Sequence, residues 1–261
     1  MAKDQPVLLE MKDVVIPSTR DGAVPAIQTM QWRIEMGDRW VIGGLPGCGK
    51  SALLMTAVGL LNPLQGELEL FGIPSRNLSE ADHASCRRQL GMLFEGGGRL
   101  FAQMTTAENI ALPYQYHRNL SFESAVPEVE RLLKLTGLKD CGNLSPNRVP
   151  RNLCPRVALA RALITRPRLL FLDNPLRGMD VRQTRWWSDV IQGLSEGHAL
   201  VEGKPITVVV TTEDFRPWLD WGDNFAVVRD QTWLEVGNRE AVRNHTNPAV
   251  QELLAQTAHF D

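Results

Sequence analysis

The run Gly44-Leu45-Pro46-Gly47-Cys48-Gly49-Lys50-Ser51 puts glycine, lysine and a hydroxyl at every fixed position of the GxxxxGK[ST] pattern. Its chemistry is polyphosphate binding. Glycines let the backbone curl until its N–H groups face a phosphate, and a helix opening at the lysine adds the positive end of its dipole. In that arrangement Gly44, Leu45, Pro46, Gly47, Cys48, Gly49, Lys50, Ser51 and Ala52 form the cradle, with Lys50 on the β- and γ-phosphates and Ser51 on Mg2+. The metal needs a second acid, and Asp173, which closes the apolar run Leu169-Leu170-Phe171-Leu172, is the candidate. Cys48 is no nucleophile in this setting, though a thiol beside phosphate-binding amides and a lysine is open to alkylation or oxidation.

Such a loop works only between a strand and a helix, and the flanking periodicity supplies both. Val7–Ile16, Ala26–Met36 and Arg39–Gly44 read as strands, followed by the glycine loop and an apolar helix over Ser51–Leu61. A strand over Glu67–Phe71 and a helix over Glu80–Leu90 come next. Residues from Gly96 to about Arg166 are mostly helical, with three- and four-residue apolar spacing in Thr106–Tyr116, Phe122–Leu138 and Val157–Thr165. Alternation resumes with strand Leu169–Asp173, helix Val181–Leu194 and strands Ile206–Thr211, Asn224–Arg229 and Thr232–Val236. Two short helices, Arg239–Asn244 and Pro248–Ala255, follow. Strands alternating with helices predict an α/β fold.

The 261 residues are 43% hydrophobic and 22% charged, enough apolar material for a real core and far from a disordered composition. Lys plus Arg number 28 against 30 Asp plus Glu, so no overall basic field draws in nucleic acid. No stretch approaches the roughly 20 apolar residues of a membrane span, and the opening MAKDQPVLLEMKD lacks the marks of a secretory signal. A cytoplasmic protein is expected. Cys48, Cys86, Cys141 and Cys154 are irregularly spaced with no CxxC pair, which fits reduced thiols better than disulfides or a zinc site. Trp186-Trp187, and Trp218 with Trp221, read as core or subunit-contact aromatics.

Beyond the glycine loop, Arg156–Leu163, then Arg166-Pro167-Arg168 leading into Leu169–Asp173, and Leu176-Arg177-Gly178-Met179-Asp180 resemble the nucleotide-binding subunit of ABC transporters. They are similar to its post-signature helix, Walker B strand and D-loop. The resemblance runs from about Val7 to Leu254. Gly91–Glu95 and Met104–Pro113 look most like the Mla-type ATPases, which serve MCE lipid transporters of the bacterial envelope. The resemblance implies a P-loop NTPase with a RecA-like core, an antiparallel β subdomain and an inserted α-helical subdomain. Residues 1–95 and 165–261 would form the core and 96–164 the helical subdomain of one nucleotide-binding domain. It also implies MgATP as ligand, a head-to-tail homodimer or a heterodimer with another ABC ATPase, and a membrane permease docked against residues 96–116. The chain would then lie peripherally on the inner face of the cell membrane.

Against that family the chain departs where hydrolysis, rather than binding, is performed. Asn174 stands where the family has its catalytic Glu, and an amide cannot accept the proton of attacking water. General-base catalysis is typically worth about 10²–10⁴-fold. Thr212 stands at the switch His, and Glu95 at the Q-loop Gln. The segment aligned with the signature is Val149-Pro150-Arg151-Asn152-Leu153, where Pro150 offers neither an amide donor nor a hydroxyl. The region before the P-loop, Ile16–Val24, holds no aromatic to stack on adenine, leaving Arg20 as the candidate over the base. In either kind of dimer neither composite site would be complete, so the expectation is a nucleotide-binding pseudo-ATPase. Two alternatives stand beside it: a slow ATPase that uses Glu95 as replacement base, and an ABC protein working without a permease.

Overall fold

The structure, a computed structural model, describes residues 5–77 and 79–255, so the first four residues of the opening segment and the last six of the chain lie outside it. In chain order the elements are β1 (Val7–Pro17), β2 (Pro25–Glu35), β3 (Arg39–Gly43), α1 (Lys50–Ala57), β4 (Gln65–Leu70), β5 (Ile73–Pro74), α2 (Glu80–Gln89), β6 (Leu90–Leu93), α3 (Thr106–Arg118) and α4 (Phe122–Leu135). Then come α5 (Cys154–Leu163), β7 (Leu169–Leu172), α6 (Val181–Glu196), β8 (Thr207–Thr212), β9 (Asn224–Arg229), β10 (Thr232–Gly237), α7 (Arg239–Asn244) and α8 (Pro248–Leu254). The chain divides into two compact units, residues 1–78 with 207–261, and residues 79–206.

In the first unit, Met30, Trp32 and Ile34 of β2 point inward while Gln31 and Arg33 face water, the two-residue period of a half-buried strand. β2 pairs antiparallel with β1, β1 with β4 and β4 with β5, giving the order β2-β1-β4-β5. Other strands are buried on both faces: every residue of β8 is buried, as are Phe225–Val228 of β9 and Trp40–Gly43 of β3. That near-continuous burial belongs to parallel strands, and β3 pairs parallel with both β8 and β9. β10 folds back antiparallel on β9 through Asp230 and Gln231, both at positive φ (48° and 60°), as a tight right-twisting hairpin turn requires. Trp32, Trp40 and Trp233 meet as a cluster with ring centroids 5.5–6.4 Å apart.

In the second unit, β6 and β7 pair parallel, Leu90 opposite Leu169 through Leu93 opposite Leu172. β6 was not legible as a strand. It has four residues, no alternation, and a glycine, Gly91, whose Cβ would lie 2.8 Å from Leu170 Cδ1, so close packing rather than pattern selects it. α3 opens on a reciprocal cap in which the Thr105 hydroxyl accepts from the Glu108 backbone and Glu108 accepts from the Thr105 backbone at 2.6 Å. Buried Asn109 pins the preceding loop, accepting from Phe101 N (2.8 Å) and donating to Phe101 O (3.0 Å) and Thr105 O (2.9 Å). α4 buries Ala125, Val129, Leu132 and Leu133 on one stripe, and α6 buries Trp187, Val190, Ile191 and Leu194.

The helix expected over Ser51–Leu61 stops sooner, because Gly59 turns left-handed (φ 73°) and Leu60 N bonds back to Met55 O at 2.8 Å. With these sheets and helices the fold is mixed α/β, as the alternation of strands and helices predicts, and the glycine loop runs from β3 into α1.

Candidate functional site

Gly43 closes β3 where no side chain fits: a Cβ there would lie 2.4 Å from Leu253 Cδ1 and 2.6 Å from the Phe215 ring. Gly44 is equally confined, by Cys48 Sγ and Val228 O, each 2.6 Å from its would-be Cβ. These two glycines fix where the loop leaves the sheet. Gly47 (φ 79°) has open space where a side chain would stand, and Gly49 (φ 111°) is the left-handed N-cap of α1. No side chain caps the first turn of α1, which leaves its leading N–H groups to the ligand side, as helix geometry dictates. Lys50 is buried, its Nζ donating to Gly44 O (2.5 Å) and Leu45 O (3.0 Å), with Cys48 Sγ at 3.8 Å. Ser51 is exposed on the same turn, and Ala52 is buried behind it. Curled backbone, helix start, held ammonium and exposed hydroxyl make a donor set that fits a magnesium-bound polyphosphate.

Thr212 ends β8 opposite Gly43, and its carbonyl accepts from Gly44 N at 3.1 Å, so the expected switch position does adjoin the loop. Its side chain is engaged elsewhere. The hydroxyl donates to Asp214 O (2.9 Å) and accepts from Asp214 N (3.1 Å), closing a local turn. Asp214 in turn accepts from the Arg216 guanidinium, at 2.6 Å from Nη2.

The remaining expected positions belong to the second unit. Asp173 follows β7, buried, its N–H donating to Leu93 O at 2.8 Å. Asn174 is also buried and sits at φ 47°, left-handed backbone that asparagine tolerates better than most residues. Its carbonyl accepts from Arg177 N (3.1 Å), and the Arg177 guanidinium reaches across to Glu95 Oε1 at 2.7 Å. Glu95 and Asn174 are thus tied to one arginine, and the Arg177–Glu95 link joins positions 82 apart that spacing could not reveal. Of the signature-aligned segment, Val149 is buried, Pro150 precedes a short 3-10 turn at Arg151–Leu153, and Arg151 is exposed.

Trp187, Trp218 and Trp221 are core residues, while the Arg156 guanidinium lies 3.8 Å over the Trp186 ring. Arg20 stands exposed in the turn between β1 and β2, its N–H bonded to Ser18 Oγ. A pocket of about 400 Å³ opens beside the glycine loop instead, lined by Gly44–Cys48, Ala26, Val227–Gln231, Ala249, Glu252 and Leu253. Sequence reasoning passed over Arg229 and Glu252 there, since two charged residues 23 apart carry no local signal.

A family model described as ABC transporter matches residues 27–177. Among curated relatives, the intermembrane phospholipid transport system ATP-binding protein MlaF of Haemophilus influenzae is 27% identical over 248 residues, covering 95% of this chain and 90% of that one. The sulfate/thiosulfate import ATP-binding protein CysA of Synechococcus elongatus is 29% identical over 249 residues, covering 95% of this chain and 67% of that one. Among solved structures, the ATP-binding cassette MJ0796, a dimer bound to ADP and Pi, superimposes with a TM-score of 0.75 at 26% identity, over 86% of this chain and 96% of that chain.

Proposed function

Since the chain belongs to the ABC transporter family, whose model covers more than half of it, we propose that it is a nucleotide-gated ATP-binding subunit with hydrolysis impaired or absent. That it is an ATP-binding subunit of this family follows from the match itself. The finer reading is carried by one observation: an intact phosphate cradle around buried Lys50 coexists with an amide, Asn174, directly after Asp173. In this reading Gly44–Ala52 hold the phosphates, Ser51 and Asp173 hold Mg2+, and Asn174 has no lone pair basic enough to take a proton from water. The Thr212 hydroxyl, closed on Asp214, adds no γ-phosphate contact.

Binding energy from MgATP then shifts the subunit pair towards a closed state without being discharged by turnover. The pair is a homodimer or a heterodimer with another ABC ATPase, and the permease docks against residues 96–116 from the inner membrane face. Lipid or another envelope substrate is the proposed cargo, supported by the Mla-like segments and by the relative named for phospholipid transport, while relatives named for sulfate and methionine import match as well. The slow-ATPase alternative needs Glu95 as base, and its carboxylate is engaged by Arg177.

The test is paired, measuring MgATP affinity and steady-state phosphate release for the unmodified chain, Asn174→Glu and Lys50→Ala. Tight binding lost in Lys50→Ala, with no release above that variant, supports the reading. Clear Lys50-dependent turnover in the unmodified chain sinks it.

A further inference from the structure

The second unit carries a groove of about 620 Å³ that the phosphate chemistry does not use, opening where α4 meets the start of α3 and the turn that follows α4. Its floor is one stripe of α4, Phe122, Val126, Val129 and Leu133, which runs for about 16 Å at 1.5 Å per residue. Val129 and Leu133 are recessed, 2% and 6% exposed, so an alkyl chain reaches them and a second helix, about 10 Å across, does not. The facing wall is low because its residues are small. Ala107 N donates to Gly142 O at 2.9 Å, which holds that wall in place, and a Cβ on Gly142 would crowd Leu133 Cδ1 at 3.1 Å. At one end the stripe meets four exposed charges: Glu130 and Lys134 on the last turns of α4, Lys139 and Asp140 on the turn beyond. Glu130 and Lys134 have the four-residue spacing of a surface ion pair, yet among the described residues none of the four charges is in one.

From this arrangement we propose that the groove binds a single-chain zwitterionic amphiphile, its alkyl chain along the α4 stripe and its two head charges between the lysines and the acids. The volume lies within the roughly 300–1,000 Å³ of ligand pockets, and an apolar floor with a few convergent polar groups is their usual lining. A small free zwitterion would leave the stripe uncovered. A purely anionic head would satisfy Lys134 and Lys139 but face Glu130 and Asp140 unmatched, and an uncharged head would engage neither pair. The proposal uses no residue of the glycine loop and stands whether or not MgATP is the ligand there.

Calorimetry on the full chain without nucleotide, below each micellar concentration, would compare dodecylphosphocholine, decylphosphocholine, dodecanoate, dodecyl maltoside and chain-free phosphocholine. Saturable binding of dodecylphosphocholine is expected, weakened about 3- to 15-fold in the decyl compound, whose chain is two methylenes shorter. Dodecanoate and dodecyl maltoside should bind at least about 5-fold more weakly, and phosphocholine alone should not register. Lys134→Ala combined with Lys139→Ala should lower dodecylphosphocholine affinity about 3- to 30-fold. Glu130→Gln combined with Asp140→Asn should turn the preference towards dodecanoate. All four positions are exposed, and an unchanged thermal midpoint without ligand reports that the fold is kept. Equal binding of dodecylphosphocholine, dodecanoate and dodecyl maltoside, no dependence on chain length, or full affinity in the lysine double variant would each overturn the proposal. No saturable binding of any amphiphile would overturn it too, and leave the groove to a protein segment.

Discussion

Asn174 meets two demands, one chemical and one conformational. Its backbone is left-handed at φ 47°, a region that costs most L-residues roughly 1–2 kcal/mol and asparagine less. Restoring a carboxylate therefore has a conformational cost: Asn174→Glu should lower stability by about 1 kcal/mol in urea titrations while raising Lys50-dependent phosphate release. A gain of activity with no loss of stability would contradict the backbone argument. Glu95→Gln should leave phosphate release where it is, because its carboxylate is already bonded to Arg177. A fall in release on that change would instead identify Glu95 as the working base. Residue types and spacing made the glycine loop between β3 and α1 legible, since such a loop is a local pattern. The Arg177–Glu95 pair and the Thr212–Asp214 turn were not, because one joins distant positions and the other depends on a rotamer.

The strand-to-loop junction at β3 is set by what surrounds it. Gly43→Ala would drive a methyl into Leu253 and Phe215, an overpacking that should cost about 1–3 kcal/mol by thermal or urea unfolding and loosen the register with β8. At α3 the reciprocal cap is pH-dependent. The Thr105 backbone and hydroxyl hold the Glu108 carboxyl below its ordinary 4.5, so its contribution is complete above that value and disappears as pH falls through the depressed one. The stability gap between the native chain and Glu108→Gln should accordingly close on acidification, and a gap that widened would refute the cap. Periodicity read most elements well, the two-residue rhythm of β2 and the helical stripes of α4 and α6 among them. It failed at β6, where four residues with a central glycine have too little pattern to show, and at the end of α1, where left-handed Gly59 ends the helix before its apolar run does.

Among the described residues no helix is long and apolar enough to cross a membrane, and ATP-binding subunits of this family pair with membrane permeases and form dimers. If MgATP joins two copies, light scattering should show a nucleotide-dependent doubling of mass that Lys50→Ala abolishes. Saturating MgATP at about 100 times its dissociation constant should raise the thermal midpoint by roughly 5–10 °C, and the same variant should remove the shift. The distribution of tryptophans gives a way to follow these events. Of the seven, Trp32, Trp40, Trp218, Trp221 and Trp233 lie in the unit that carries the glycine loop, and Trp186 with Trp187 in the other. Three of the five are packed at 5.5–6.4 Å and mutually inclined, close enough for their excited states to couple. Trp186 and Trp187 are packed as closely, at 5.3 Å and 86°, so near-ultraviolet circular dichroism should carry a packed-indole signal from each unit. Trp233→Phe should diminish the part that melts with β2, β3 and β10 while leaving the part that reports on α6.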